Sequence, residues 1–423
     1  MPLASIFGLA WHSVLNRKTA AMLTIFAIAL SVCLFLGVEK ARKAARAGFD
    51  NTISGTDLIV GAPSGQVNLL LYAVFRLGNA TAEMSWDAYQ TVAARPDIAW
   101  AVPVSLGDSH RGYRVMGTST AYFDHYRFGQ GRALELAEGE RFDDLFDAVI
   151  GADVAKTLGY TIGTPLILTH GLGASGLSDH DNRPFRVAGI LKPTGTPVDQ
   201  TVHISLEGIT AIHIGWETGA RNPLADNISE EMIRTFDLTP KTVTAAFVGL
   251  ENRATVLRTR RAINTNRSEP LLAIIPGLAL AELWGVVGTA ELILLAVSAF
   301  VVIVGLVSIL TSLLTSLNER RREMSILRAT GAGPGTIFTL MAVEAAGLGL
   351  AGALLGAGLT QLIFWLGAPF LAAEFGISLI RTGLGLIDLY TIGAVTLAAF
   401  LLGCGPAYAA SHRSLADGLT IKM

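Results

Sequence analysis

The chain has 423 residues, of which 51% are hydrophobic and 16% charged, with 45 glycines and a mean hydropathy of +0.49. Soluble domains carry about 25% charged residues, so this composition excludes an ordinary soluble protein and points to a membrane. A formal net charge of −2 and the lack of a long basic block exclude nucleic acid as the partner.

The first eighteen residues set Ile6, Phe7, Leu9, Ala10, Trp11 and Val14 against Ser5, His12, Ser13 and Arg17. That pattern reads as an interfacial amphipathic segment or as an extension of the helix that follows. A bilayer core about 30 Å thick needs roughly 20 apolar residues in a helix. Four uncharged runs are long enough: Thr19 to Val38, Leu292 to Asn318, Ala345 to Ala373 and Leu389 to Ser411. The first exceeds a signal-peptide core and has no clean small-x-small cleavage site behind it, so it reads as a helix of the mature protein. Val67 to Phe75 is too short to span, and Leu271 to Ala281 is interrupted by Pro276, so both read as buried or interfacial segments. The expected order is an interfacial segment at 1–18, transmembrane helix 1 at 19–38, a large domain at 39–283 and helix 2 at 284–317. A charged loop at 318–336, helix 3 at 337–366, a short loop at 367–385, helix 4 at 386–410 and a tail at 411–423 complete it.

Inside the large domain, β-branched runs alternate with helical patterns. Strands are predicted at 57–60, 99–104, 113–117, 147–151, 165–169 and 185–191, and helices at 85–94, 152–158 and 252–264. The fold class is therefore an α-helical membrane protein with four transmembrane helices and an extracytoplasmic α+β domain between helices 1 and 2. Polar stretches at 171–186 and 215–237 punctuate the domain and divide it into two lobes at an unplaced boundary. Both cysteines, Cys33 and Cys404, fall in predicted spans, so the domain must hold together without disulfides.

Short loops set orientation. The 318–336 loop carries Arg320, Arg321, Arg322 and Arg328, whereas the short 374–388 connection has only Arg381 against Glu374 and Asp388. The arginine loop is thus expected in the cytoplasm, with both termini. Lys40, Arg42, Lys43 and Arg46 after the first span run against this order, but they begin a long translocated segment, where the rule is weak.

Several stretches carry a resemblance. They are Leu317-Asn-Glu-Arg-Arg-Arg-Glu-Met-Ser-Ile-Leu-Arg-Ala-Thr-Gly-Ala332, Glu344-Ala-Ala-Gly-Leu-Gly-Leu-Ala-Gly-Ala-Leu-Leu-Gly356 and the tail from Pro406 to Leu419. Val149-Ile-Gly-Ala-Asp-Val-Ala155 and Val187-Ala-Gly-Ile-Leu-Lys-Pro-Thr-Gly-Thr-Pro197 add to them. Together they resemble the membrane subunit of FtsX-like, MacB-like ABC transporters, which include lipoprotein-release and macrolide-export permeases. The resemblance implies a MacB-like periplasmic core domain and a bacterial inner-membrane location. It implies an ATPase-coupling role for Glu319, Arg320, Arg322, Glu323, Arg328 and Gly331, and mechanotransmission for export, extraction or release of a substrate. On residues alone, arginines at a span's end also serve as topological anchors. Ile326, Leu327 and Ile337 are expected on one apolar side of the loop. No Gly-Lys dipeptide occurs, so a Walker A loop is missing and this chain is expected not to be an enzyme. ATP and Mg belong on a separate ABC ATPase, present in two copies beside a homodimer or pseudo-symmetric heterodimer of permeases. A periplasmic or lipoprotein partner is compatible with this. The alternative is a non-transporting regulator that activates a periplasmic partner.

Glu344 is a carboxylate inside predicted helix 3, where charge is expensive, and is expected to make a structural contact near the interface. Gly347, Gly349, Gly352, Gly356 and Gly358 have small-x-x-x-small spacing that permits close helix packing, within one bundle or between copies. No metal site is assigned. His170, His180, Asp181 and His203, with Asp179 and His213 nearby, would have to supply one, but they match no compact ligand motif and are expected in solvated loops.

Overall fold

The computed structural model describes residues 17–170, 183–215, 228–319, 321–375 and 383–412. The helices are α1 (Lys18–Asp50), α2 (Gln66–Phe75), α3 (Trp86–Ala93), α4 (Ala121–His125), α5 (Ala152–Leu158) and α6 (Leu206–Ile212). They continue as α7 (Glu230–Ile233), α8 (Val256–Asn264), α9 (Pro276–Glu319), α10 (Arg321–Ala329), α11 (Pro334–Phe375) and α12 (Leu386–His412). The chain divides into two compact units, one of Met1–Ala44, Gly288–Ala368 and Ile380–Met423, the other of Ala45–Val287 and Pro369–Leu379.

In the helical unit, α1, α9, α11 and α12 are each long and apolar enough to cross a membrane. At 1.5 Å per residue the 44-residue α9 is about 66 Å long, roughly twice a bilayer core. α1 likewise continues to Asp50, well past the uncharged run that ends at Val38. Their shared core mixes large and small side chains: Ile28, Val32, Leu36, Ile309 and Leu313 against Ala345, Ala353, Ala357 and Ala399. Lipid is as apolar as leucine, so helices gain little by merely hiding apolar surface and depend on close fit. Glycine supplies the fit where α11 meets α1: a Cβ on Gly352 would lie 2.6 Å from that of Ile28, and one on Gly356 2.6 Å from the carbonyl oxygen of Ala29.

Charge-matching holds the far end of α1. Lys40 and Asp388 form an ion pair at 3.0 Å with side chains 11% and 2% exposed. The geometry falls short of a hydrogen bond, and Asp388 accepts the Gly385 N–H at 2.7 Å at the start of α12. Glu39 receives two hydrogen bonds of 3.0 Å from the Arg42 guanidinium, with Lys43 at 3.3 Å and Arg42 4.0 Å from Glu291. Three members of the basic run that follows the first span, Lys40, Arg42 and Lys43, are thus each paired with a carboxylate.

The second unit is built on an eleven-stranded sheet. Its strands are β1 (Leu58–Gly61), β2 (Ile98–His110), β3 (Tyr113–Thr118), β4 (Leu136–Gly139), β5 (Asp147–Ile150) and β6 (Pro165–Leu166). Then come β7 (Thr169–His170), β8 (Phe185–Leu191), β9 (Thr201–Ser205), β10 (Ala245–Leu250) and β11 (Leu272–Ile274). Their order is β11-β1-β10-β2-β3-β9-β5-β8-β4, with β7 added to β2 and β6 to β8. The β3–β9 and β5–β8 pairs are parallel, the others antiparallel. Period-two alternation sends Ile59 and Phe247 to a core with α2 and α4, and Leu58, Val60, Ala246 and Val248 to the opposite face with α3 and α8. A third cluster, with Ala148, Ile150, Val187, Val202 and Ile204, fills the other half of the sheet beside α6. The apolar segment at 67–75 is the buried helix α2, and the run at 271–281 splits into β11 and the start of α9 at Pro276.

Candidate functional site

The charged segment between α9 and α11 folds as the nine-residue helix α10. Its end is closed by backbone bonds: Thr330 N–H donates to Ile326 O at 3.0 Å and Ala332 N–H to Leu327 O at 2.9 Å. Gly331 follows at φ +97°, a left-handed conformation that strains any side chain. Pro334 then begins α11, where its missing N–H is harmless. This succession turns the chain within five residues.

α10 rests on the ends of α11 and α12. Met324 packs on Ile337, Met341, Ala407 and Ala410, and Ser325 is 9% exposed. Ile326, by contrast, is 56% exposed while Ile337 is 1% exposed. The apolar side expected to join Ile326, Leu327 and Ile337 is therefore divided. In a helix, residues two positions apart point to different sides, so Met324 faces inward and Ile326 outward. Glu319, Arg322 and Glu323 lie on the backbone at the α9–α10 junction, Arg320 falls outside the described residues, and Arg328 is half-buried and partnered.

Glu344 is 6% exposed in α11 and has a polar or electrostatic contact. It adjoins a close helix crossing, where a Cβ on Gly403 would come 2.4 Å from that of Ala345. Gly349 meets Ala399 of α12 in the same way, at 2.4 Å, whereas Gly347 and Gly358 have nothing within 4 Å. Of the glycines picked out by spacing, Gly349, Gly352 and Gly356 thus sit at crossings within one chain.

The histidines are dispersed. Asp179, His180 and Asp181 lie outside the described residues, and among those described no three His, Cys, Asp or Glu side chains form a group able to hold a metal ion. His170 lies on β7, paired with Asp108 on β2. His203 overturns the expectation of a solvated loop, because it sits on the central strand β9 with 0% exposure. Its Nδ1 donates to Val149 O at 3.1 Å, and its ring stacks on Tyr122 at 5.5 Å. Burial pushes its pKa down to about 3, helped by the Arg76 charge and opposed by the Val149 bond. The Lys40–Asp388 pair escaped sequence reading, its only sign being charges just beyond two apolar runs.

Comparison with known proteins gives two domain matches. Residues 21–264 match the MacB-like periplasmic core domain and residues 295–415 the FtsX-like permease C-terminal domain. Among solved structures, the periplasmic region of MacB from Actinobacillus actinomycetemcomitans is similar at 10% identity and a TM-score of 0.34, covering 55% of this chain and 94% of that one. The extracellular domain of the noncanonic ABC-type transporter YknZ from Gram-positive bacteria is similar at 15% identity and a TM-score of 0.30, covering 52% of this chain and 99% of that one. No curated protein matches the sequence.

Proposed function

Because this chain belongs to the MacB-like, FtsX-like family of ABC transporter permeases, we propose that it is the subunit through which a separate ATPase moves a periplasmic domain to export, extract or release a substrate. Family membership implies partnership with an ATPase. The observation that carries the rest of the reading is α10, a short helix whose Met324 side is docked and whose Ile326 is left 56% exposed. An exposed isoleucine is a natural anchor for a groove on a partner, since burying such a side chain yields about 1.5–3 kcal/mol. Charged backbone positions 319–323 and the arginines beside it favour the cytoplasmic side, where the motor is, which puts both termini inside and the sheet-based domain in the periplasm.

In this reading four helices span the bacterial inner membrane. Two permease copies work with two ATPase subunits that hold ATP and Mg. ATPase closure pushes on α10, and the uninterrupted α9 carries the displacement beyond the bilayer as a rigid rod. α9 has 44 residues without a break, and over the part inside the bilayer a kink would expose backbone hydrogen bonds that lipid cannot replace.

Co-purification tests the coupling. The full-length chain should retain its ATPase partner from native membranes, and Ile326→Asp or the swap Arg322→Glu with Glu323→Arg should abolish both association and ATP-dependent function. Intact association and function in both variants would overturn the coupling role of α10.

A further inference from the structure

The periplasmic-like domain holds a cavity of about 570 Å³, within the ~300–1,000 Å³ range of small-molecule sites. One wall comes from β2, whose register against β3 slips between Leu106 and Ser109. Such irregularities re-aim side chains, and here Asp108, only 3% exposed, lines the cavity. α6 supplies the facing wall through Ile209 and its C-terminal turn. The turn is close to the sheet because Gly117 of β3 has no side chain: a Cβ there would lie 2.3 Å from the Cδ1 of Ile209.

Polar groups converge on this apolar lining. His213 Nδ1 donates to Ile209 O at 2.7 Å, which leaves Nε2 toward Asp108 Oδ2 at 3.9 Å. Exposed Glu83, Asp237 and Lys241 form the rim. The Asp237 carboxyl is held below its usual range by the Thr239 hydroxyl and N–H, so it remains charged at neutral pH. Three carboxylates against one lysine leave the lining negative, which disfavours an anionic ligand. Apolar Leu206, Ile209 and Ile214 beside these carboxylates suit an organic cation, whose body and charge meet different parts of the wall.

We propose that this cavity binds a small organic amine, its aliphatic body against Leu206, Ile209 and Ile214 and its ammonium directed at Asp108 and the carboxylate rim. Binding needs no motor, so the site stands or falls independently of the coupling reading. Cyclohexylamine, cyclohexanol and cyclohexanecarboxylate, similar in size but different in charge, can be titrated calorimetrically into the full-length protein without ATP. Saturable amine binding is expected, at least tenfold tighter than that of the alcohol or the acid. Asp108→Asn should weaken amine binding at least tenfold, and Glu83→Gln with Asp237→Asn at least threefold. Should Asp108→Asn fail to fold, the exposed rim variant decides alone. Equal binding of all three probes, no saturable amine binding, or amine affinity unchanged in the rim variant would overturn the proposal.

Discussion

In the helical unit, α11 meets α1 at Gly352 and Gly356, where a Cβ would come within 3 Å of the neighbouring helix. In the sheet-based domain, β10 buries all six of its residues, Ala245–Leu250, between layers of large side chains. The contrast follows from the solvent each unit faces. Water drives Val, Ile and Phe onto both faces of a sheet, whereas lipid offers no such drive and leaves close fit and paired charge to join helices. Buried polar groups divide likewise. Lys40 and Asp388 are joined across two helices, while His203 is kept neutral inside an aromatic core.

Three experiments bear on that contrast. The largest effect is expected from Lys40→Leu, which strands Asp388 in the first turn of α12. Removing one partner of a buried pair costs about 3–5 kcal/mol, whereas the double change with Asp388→Leu should recover most of the loss. Unfolding titrations in detergent read both, and a single variant as stable as the parent would show that fit alone holds this end.

Gly356→Ala should destabilise by about 1–3 kcal/mol, since the new methyl meets the Ala29 carbonyl and Val32. Gly347→Ala has open space and should be neutral or slightly stabilising, by up to about 1 kcal/mol from helix propensity. Equal responses would mean that the glycine notches do not determine packing.

His203 supplies a step confined to the domain and absent at neutral pH, appearing only as the solution is acidified. Its folded pKa of about 3 lies below the ordinary value of 6.5, so the neutral ring is favoured by folding. Its contribution is fully present above pH 6.5 and is lost as pH falls from there toward 3, at about 1.4 kcal/mol per pH unit. Buried Asp199 has its carboxyl pushed up by desolvation, which acts with the opposite sign. His203→Asn, which keeps a donor for Val149, isolates the histidine. Its stability relative to the parent should improve progressively below pH 6.5, and a constant difference would contradict the burial argument.

The sequence pattern revealed some elements and concealed others for physical reasons. The strand predicted at 185–191 is β8 and the helix predicted at 152–158 is α5. β10 was missed because, buried on both faces, it lacks the polar alternation that marks a one-sided strand, and the alternating β9 is only five residues long. In the candidate site, the arginine run, Gly331 and Pro334 marked the turn, but spacing placed Ile326 with Ile337. Only the docked Met324 shows which side of α10 faces inward.

Long apolar runs, the arginine segment between two of them and the stretches resembling FtsX-like and MacB-like permeases established by themselves the element order and the family. Such information resides in contiguous residues, because hydropathy and helical or strand period are local quantities. Tertiary structure decided which glycines touch a neighbour, that His203 belongs to a core, and that Lys40 meets Asp388 from the other end of the chain. These depend on which distant segments the topology brings within a few ångströms, and no local period encodes that.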